Sequence, residues 1–192
     1  MFQSEITKEE VAGLDLIQFE GPIHVIDSVE SFEREIDNIV REPILGVDTE
    51  TRPSFKKGTM YPTSLIQLST LEQAWILRVS RMGYPKKLLE LLSGEDPLKV
   101  GVSLHDDLRR LRSDFKFEPQ GFLDLQQYVE AFRIEEKGLK KLSGIVLGRR
   151  ISKSQQVSNW DANNLTEAQL RYAATDAWIC LMIYYKLRDS IG

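Results

Sequence analysis

Two acidic side chains stand close together at the end of an apolar segment of the chain. Residues 44–50 are mostly aliphatic, which predicts a strand, and the segment ends with Asp48 and Glu50. Side chains two positions apart on a strand point to the same face, so these carboxylates are predicted to lie side by side. Such a pair is costly to bury without a cation, and Mg²⁺ and Mn²⁺ prefer carboxylate oxygens. The pair is a candidate metal site, with solvated acids at a strand end as the alternative.

More acidic residues follow later predicted elements. Asp106 and Asp107 come after an apolar strand at 98–102 and fall in the first turn of the next helix, where acids can simply complement the helix dipole. Tyr172 and Asp176 are four positions apart on a predicted helix, so they share one face. An exposed acid on an amphipathic helix is the ordinary explanation of that second pair.

These positions gain meaning when they are taken together. An acid pair on an early strand, an acid after a later strand and a Tyr/Asp pair on a late helix can converge at one sheet edge. Four carboxylates can hold two divalent cations roughly 3.5–4 Å apart, the arrangement used for in-line displacement at phosphorus. The residues alone therefore favour a two-metal site, with Mg²⁺ or Mn²⁺ as its ions.

Strands and helices alternate in a pattern that could position these side chains. Strands are predicted at 22–26, 44–50, 64–69, 74–77 and 98–102, with a tight hairpin connection at 70–73. Helices are predicted from a cap at Asp27 to about residue 40, at 85–92, and from a cap at Thr166 to about residue 188, with the rest after residue 102 mostly helical. The pattern predicts an α/β fold with a mixed sheet, an antiparallel meander first and parallel strands after it, flanked by helices.

Length and composition bound the organisation of the chain. Its 192 residues, 42% of them hydrophobic, fit one globular domain at 22–192, preceded by an N-terminal extension at 1–21. One cysteine, Cys180, excludes an intrachain disulfide, and the sequence shows neither a signal peptide nor a membrane span. An intracellular, cytoplasmic setting is expected. The net charge of −4 gives no global attraction to nucleic acid, so a polynucleotide would need local basic patches and metal ions.

Three motifs, in order, resemble those of the DEDD exonuclease superfamily, in the subgroup with a tyrosine in the third motif. They lie at 47–50, 100–107 and 170–177, and the third matches nearly residue for residue. Residues 64–68 and 158–160 are also similar, and the likeness spans about 44–187. It is closest to the Werner-syndrome-type exonuclease domain, with ribonuclease D more distant. The sequence departs from the Werner-type motif directly after Glu50, where it has Thr51 and Arg52 and the Werner-type domain commonly has a tryptophan. This difference would affect how the terminal nucleotide is packed.

The resemblance implies a ribonuclease-H-like fold, two metal ions and removal of mononucleotides from the 3′ end of a polynucleotide. The end is expected to be single-stranded or recessed, and the Werner-type likeness favours DNA. Motif alignment favours Asp107 over Asp106 as the second-motif ligand. Trimming of RNA 3′ ends, a non-catalytic nucleic-acid-binding module and a phosphodiesterase for small nucleotides are the alternatives. The presence of all five key positions argues against the binding module.

Roles follow for the residues of this site. Asp48 is the candidate bridging ligand of both ions, Glu50 and Asp176 would complete the site of the ion that activates water, and Asp107 would support the other ion. Tyr172 is expected to position that water rather than act as a base, since an ordinary phenol has a pKa of about 10.

Candidate substrate contacts lie around the motifs and in a basic segment. Residues 137–160 contain no acid and these six basic residues: Lys137, Lys140, Lys141, Arg149, Arg150 and Lys153. The segment is predicted to bind phosphates, with a solvated helix surface as the alternative, and Arg109, Arg110, Arg112, Lys56 and Lys57 could add to it. The individual candidates for substrate contact are Thr49, Ser103, His105, Arg149, Arg150, Lys153 and Trp160. Trp160 could stack on a base, although packing in the core is favoured.

Overall fold

A six-stranded mixed β-sheet forms the centre of the computed structural model, which describes residues 2–54 and 60–191. The strands are β1 Ile23–Ile26, β2 Ile44–Thr51, β3 Thr63–Ser69, β4 Ala74–Leu77, β5 Leu98–Gly101 and β6 Phe122–Asp124. The helices are α1 Lys8–Ala12, α2 Val29–Ile39, α3 Val79–Met82, α4 Lys86–Ser93, α5 Leu104–Asp114, α6 Leu125–Tyr128, α7 Leu139–Leu147 and α8 Glu167–Arg188, with a 3₁₀ turn at Val129–Phe132.

The sheet has the order β1-β4-β3-β2-β5-β6. The strands β2, β3 and β4 form an antiparallel meander, and β1 adds to β4 in parallel. On the other side β5 is parallel to β2 and β6 is parallel to β5, with α5 as the crossover between them. The structure confirms the predicted mixed sheet flanked by helices.

Two local predictions were wrong. The strand β6 was assigned to a mostly helical region, because three residues are too short to show an alternating pattern. The cap of α2 is Ser28 rather than Asp27. Ser28 has the extended backbone that a cap requires, and it exchanges hydrogen bonds with Ser31, both backbone N–H to hydroxyl distances being 3.2 Å.

Helices cover both faces of the central strands, so every residue of β3 is buried. Alternate residues divide between two cores. Ile66 and Leu68 pack in the cluster that includes α2 and α4, while Leu65 packs with Ala173 and Ala174 of α8. This alternation follows from the two-residue period of a strand and places α8 against one face of the meander.

The helix α8 lies unusually close to β2, because small residues meet at their contact. A Cβ atom on Gly46 would stand 2.1 Å from the carbonyl oxygen of Ala177. Ala173 and Ala174 are also buried on this helix. Thr166 and Gln169 form a capping box that fixes where α8 begins. Gly46 therefore sets the distance between the backbone of β2 and that of α8.

The residues that precede β1 pack against the helices. Ile6 and Val11 are buried in the cluster that contains α7 and much of α8. Leu16 forms an isolated β-bridge with Arg150, and the backbone N–H of Phe19 donates to the hydroxyl of Thr175 at 3.0 Å. Among the described residues no helix is both long and apolar enough to cross a membrane.

Replacing Gly46 with alanine tests the contact between β2 and α8. The added methyl group would collide with backbone rather than with a flexible side chain, so we expect a loss of stability at or above the upper end of the ~1–3 kcal/mol typical of overpacking. Chemical denaturation would measure it. Gly13→Ala is the control, because a Cβ there has only an ordinary contact of 3.5 Å and φ is −77°. Equal stability of the two variants would contradict the proposed role of Gly46.

Candidate active site

Three carboxylates meet where β2 faces α8. Gly46, Asp48 and Glu50 alternate onto the same face of β2, and Gly46 contacts α8 beside Ala177. Asp176 precedes Ala177 on that helix. One carboxylate oxygen from each of Asp48, Glu50 and Asp176 lies within 4.8 Å of the others. The close packing of helix on strand thus brings together acids from distant parts of the sequence.

Electrostatics within this cluster oppose the ionisation of all its members. Burial, followed by the neighbouring charges of Asp48, Asp176 and Asp107, raises the pKa of Glu50 to about 10. Burial also raises the pKa of Asp176 to about 7, although hydrogen bonding from Tyr172 acts in the opposite direction. The pKa of Asp48 rises well above its ordinary value, mainly through burial and then through Asp176 and Asp107. A divalent cation among these oxygens would offset the repulsion, so the donor set fits a metal ion.

Asp107 lies beside the cluster rather than within it. It is in the first turn of α5, and one of its oxygens accepts a hydrogen bond of 2.8 Å from the hydroxyl of Thr49. Burial raises the pKa of Asp107 to about 6, and the Thr49 bond and Arg110 act to lower it. Its charge is near enough to raise the pKa of Asp48. Thr49 therefore ties Asp107 to the strand that carries Asp48. Of the four carboxylates predicted to converge, three do so and Asp107 stands apart from them.

The turn before α5 is held by a residue of β6. Ser103 has φ 60° and ψ 34°, a left-handed conformation that is uncommon for a residue other than glycine. The carboxylate of Asp124 accepts bonds from the backbone N–H groups of Ser103, at 3.1 Å, and Leu104, at 2.9 Å. The side chain of Gln126 donates to the Ser103 hydroxyl at 2.6 Å. Strand β6, which sequence patterns missed, thereby fixes the second motif.

Tyr172 is fixed by contacts on two sides. Its hydroxyl lies near the carboxylate of Asp176, and burial followed by the charges of Asp176 and Glu50 raises the pKa of the phenol. Its ring packs against that of Trp160, with the ring centres 6.0 Å apart. A phenol whose pKa lies above its ordinary value of about 10 is a poor base near neutral pH. The geometry suits Tyr172 to orient a hydroxyl or water near Asp176.

Trp160 belongs to a loop that two arginines hold in place. It is fully buried, with 0% exposure, so its ring has no surface on which a base could stack. Arg78 donates to the carbonyl oxygens of Ala162 and, at 2.9 Å, of Asn163. Arg81 donates to the Asn163 carbonyl at 2.6 Å. Trp160 therefore supports Tyr172 from within the core.

The acidic cluster lines a cleft of about 290 Å³. Of the residues predicted for the site, the cleft is lined by Asp48, Thr49, Glu50, Ser103, Lys153, Tyr172 and Asp176. Lys140, Ser152 and Gln156 also line it, and all three lie in segment 137–160, although only Lys140 is one of its six basic residues. His105 does not line it. Its side chain faces a separate groove along α5, together with Arg109 and Arg112.

The six basic residues of segment 137–160 divide into two groups. Four of them hold other parts of the fold: Lys137 pairs with Glu130, Lys141 with Glu136 and Arg149 with Asp15, and Arg150 donates to the carbonyl oxygen of Leu14. Lys140 and Lys153 form no ion pair within residues 2–54 and 60–191, and both line the cleft. The structure does not bring Arg149 or Arg150 to the cleft.

The additional basic candidates also have other contacts. Arg109 pairs with Asp106 at 3.0 Å, Arg110 donates to the carbonyl oxygen of Tyr61 at 3.1 Å, and Arg112 pairs with Glu118 at 3.1 Å. Arg52 lies over the ring of Tyr61, 4.8 Å from its centre. Lys56 and Lys57 lie outside the described residues.

Comparison with known proteins agrees with this geometry. A family model described as 3′-5′ exonuclease matches residues 23–191, nearly the whole chain. The chain belongs to the 3′-5′ exonuclease family. This family is divalent-metal dependent, and the acidic cluster of this exonuclease domain fits such an ion. The resemblance to Werner-type exonucleases is confirmed by the first of the relatives described next.

Individual relatives have the same domain in different settings. The exonuclease domain is 34% identical over 150 residues to the bifunctional 3′-5′ exonuclease/ATP-dependent helicase WRN of Mus musculus, covering 75% of this chain and 11% of that protein. It is 34% identical over 167 residues to exonuclease 3′-5′ domain-containing protein 2 of Mus musculus, covering 81% and 25%. The crystal structure of the Aedes aegypti Nibbler EXO domain matches with a TM-score of 0.79 at 27% identity, covering 92% of each chain. This chain thus spans a quarter or less of these two curated relatives.

Replacing Glu50 with glutamine tests the repulsion among the carboxylates. Because the pKa of Glu50 is about 10 in the metal-free fold against an ordinary 4.5, unfolding releases a proton and stability falls as pH rises through this range. In the absence of metal ions, Glu50→Gln is therefore expected to raise the melting temperature of the domain at pH 8 by several degrees, since each kcal/mol shifts it by roughly 2–4 °C at this size. Near pH 4 the substitution should have little effect.

Added Mg²⁺ or Mn²⁺ should relieve the same repulsion and thereby raise the melting temperature. It is expected to stabilise the wild-type domain more at pH 8 than at pH 6, because the ligands bind metal when deprotonated, and to stabilise the Glu50→Gln variant much less. Asp106→Asn is the control, since that acid is exposed and paired with Arg109. If metal raised the melting temperature of Glu50→Gln as much as that of the wild type, Glu50 would not be a metal ligand.

Proposed function

We propose that this exonuclease domain hydrolyses phosphodiester bonds from the 3′ end of a polynucleotide with the aid of two divalent cations, Mg²⁺ or Mn²⁺. The observation that carries the proposal is the grouping of Asp48, Glu50 and Asp176, with Asp107 close enough to affect the charge of the first two. Such ions, when bound, generate hydroxide from water and neutralise charge on the scissile phosphate. DNA is the proposed substrate, and RNA is the alternative.

Each residue of the site then has a proposed task. Both Asp176 and Asp107 raise the pKa of Asp48, which favours Asp48 as the residue that would be a ligand of both ions. Glu50 and Asp176 would complete the site of the ion that activates water. Asp107 supports the second position, and the hydroxyl of Thr49 engages one of its two oxygens.

Tyr172 and Lys153 complete the proposed mechanism. Tyr172 holds the attacking water in line with phosphorus through its hydroxyl, which Asp176 and the ring of Trp160 keep in place. Lys153 lines the cleft near enough to lower the pKa of Asp176, and its cation suits a contact with a substrate phosphate. Ser103 lines the same cleft, where the terminal nucleotide would lie. An intracellular, cytoplasmic setting is proposed with this activity, since the single cysteine is a buried free thiol.

Incubation with end-labelled substrates tests the function directly. Single-stranded DNA, duplex DNA with a recessed 3′ end, and RNA are each incubated with Mg²⁺, Mn²⁺ or EDTA. We expect 5′-labelled strands to shorten one nucleotide at a time when metal is present and to stay intact in EDTA. Asp48→Ala is expected to be inactive because it removes the shared ligand. If wild-type protein leaves all three substrates intact, the proposed function is wrong, and the relative rates decide between DNA and RNA.

Tyr172→Phe tests whether the phenol acts on the water or on the metal site. We expect kcat to fall on the order of 10²-fold, the loss typical of one positioned hydrogen-bond donor. The stabilisation by Mg²⁺ or Mn²⁺ should remain, because the carboxylates are unchanged. Tyr185→Phe is the control, as that tyrosine is on the same helix and contacts Arg188 at its far end. A variant with full activity, or one that has lost the metal-induced stabilisation, would refute this assignment.

A further inference from the structure

The cleft is small for a polynucleotide. Its volume of about 290 Å³ is at the lower limit of the roughly 300–1,000 Å³ found for small-molecule pockets. It can hold the terminal nucleotide and the scissile phosphate, but the strand upstream of them must continue over a neighbouring surface. In a protein with a net charge of −4, that surface should be locally basic.

A second cavity adjoins the cleft and has this property. Its volume is about 370 Å³, and we name it the lysine groove after its lining residues, which are Lys8, Val11, Gly138, Lys140, Lys141 and Lys153. Lys140 and Lys153 also line the cleft, so the two cavities are adjacent. No acidic residue of the described chain lines the groove.

The charges of the lysine groove are largely uncompensated. Lys141 pairs with Glu136, whereas Lys8, Lys140 and Lys153 form no salt bridge with any residue that the structure describes. This contrasts with Arg149, which is committed to Asp15. Of the six basic residues of segment 137–160, Lys140 and Lys153 are the two that line both the cleft and the groove.

The groove has one wall outside the region that matches the exonuclease family model. Lys8 and Val11 belong to α1, whereas the matched region begins at residue 23. Val11 is buried against the cluster that includes α7, and a capping box between Thr7 and Glu10 fixes the start of α1. The N-terminal segment therefore contributes Lys8 to the wall of the lysine groove.

Gly138 lines the groove at the start of α7. It is the N-cap of α7, with φ −88° and ψ 136°, and has no side chain to bond the first turn of the helix. A Cβ atom added there would meet nothing within 4 Å. A side chain can thus be introduced into the groove without disturbing the fold.

We propose that the lysine groove binds the backbone phosphates of the single strand immediately upstream of the 3′-terminal nucleotide, with α1 forming one side of the path. This rests on the proposed exonuclease function and adds the direction in which the strand leaves the cleft. Charge complementarity and the two lysines shared with the acidic cleft carry the assignment. A basic groove that follows the backbone is the usual way to hold a single strand without regard to sequence.

Comparing Gly138→Asp with Gly138→Asn separates the effect of a negative charge in the groove from any effect on stability. Both side chains are good N-caps in this backbone conformation and should stabilise α7 to a similar extent, which thermal unfolding would verify. Only aspartate adds a negative charge to the groove. Relative to Gly138→Asn, Gly138→Asp is expected to lower kcat/KM for a strand of about ten nucleotides by about fivefold, the effect of one charge about 4 Å from a phosphate in water.

A dinucleotide substrate gives the discriminating comparison. It occupies the cleft without reaching far along the groove, so the difference between the aspartate and asparagine variants should largely disappear. If wild type degrades both substrates and the two variants remain equal on the long strand, the groove assignment is wrong while the exonuclease function stands. If wild type degrades neither substrate, the proposed function fails, and fluorescence anisotropy of a labelled strand still tests binding by the groove.

Salt dependence supplies a second, independent test. Lys8→Gln should reduce the slope of log Kd against log salt concentration by about 0.7 for single-stranded nucleic acid, the change expected for one lost phosphate contact. Arg149→Gln, which removes a charge already paired with Asp15, is expected to leave the slope unchanged. Equal slopes for wild type and Lys8→Gln would exclude α1 from the path of the strand.

Discussion

The contact between β2 and α8 is the constraint on which the active site depends. Gly46 lets the backbone of the strand approach the carbonyl of Ala177, and this short separation carries Asp176 to Asp48 and Glu50. Packing free energy from the apolar surfaces must offset the repulsion that this contact creates among the acids. The fold thus supplies a site that opposes ionisation of all its acids, and a bound cation would offset that repulsion.

Much of this arrangement follows from local sequence patterns. The alternation of β2 places Asp48 and Glu50 on one face, and the spacing of Tyr172 and Asp176 places them together on α8. The cap at Thr166 was visible for the same reason, since its capping box involves residues three positions apart. Such features depend on neighbours along the chain, which a sequence displays directly.

What the sequence left open depends on contacts between distant residues. Arg149 and Lys153 lie in the same basic segment, but Arg149 pairs with an acid 134 positions earlier, whereas Lys153 faces the cleft. Thr49 was a candidate substrate contact, and the structure shows it bonded to Asp107, 58 positions away. The choice of Ser28 over Asp27 as a cap also needed the backbone angles, because both residue types cap helices well.

The support of Tyr172 extends the active site beyond the strand and helix that carry its acids. Its neighbour Trp160 is held by a loop that Arg78 and Arg81, next to the end of β4, secure through carbonyl contacts. The grouping of Asp48, Glu50 and Asp176 depends on the contact of β2 with α8, whereas the position of Tyr172 also depends on this loop. Damage confined to the loop can therefore misplace the phenol while the three acids stay together.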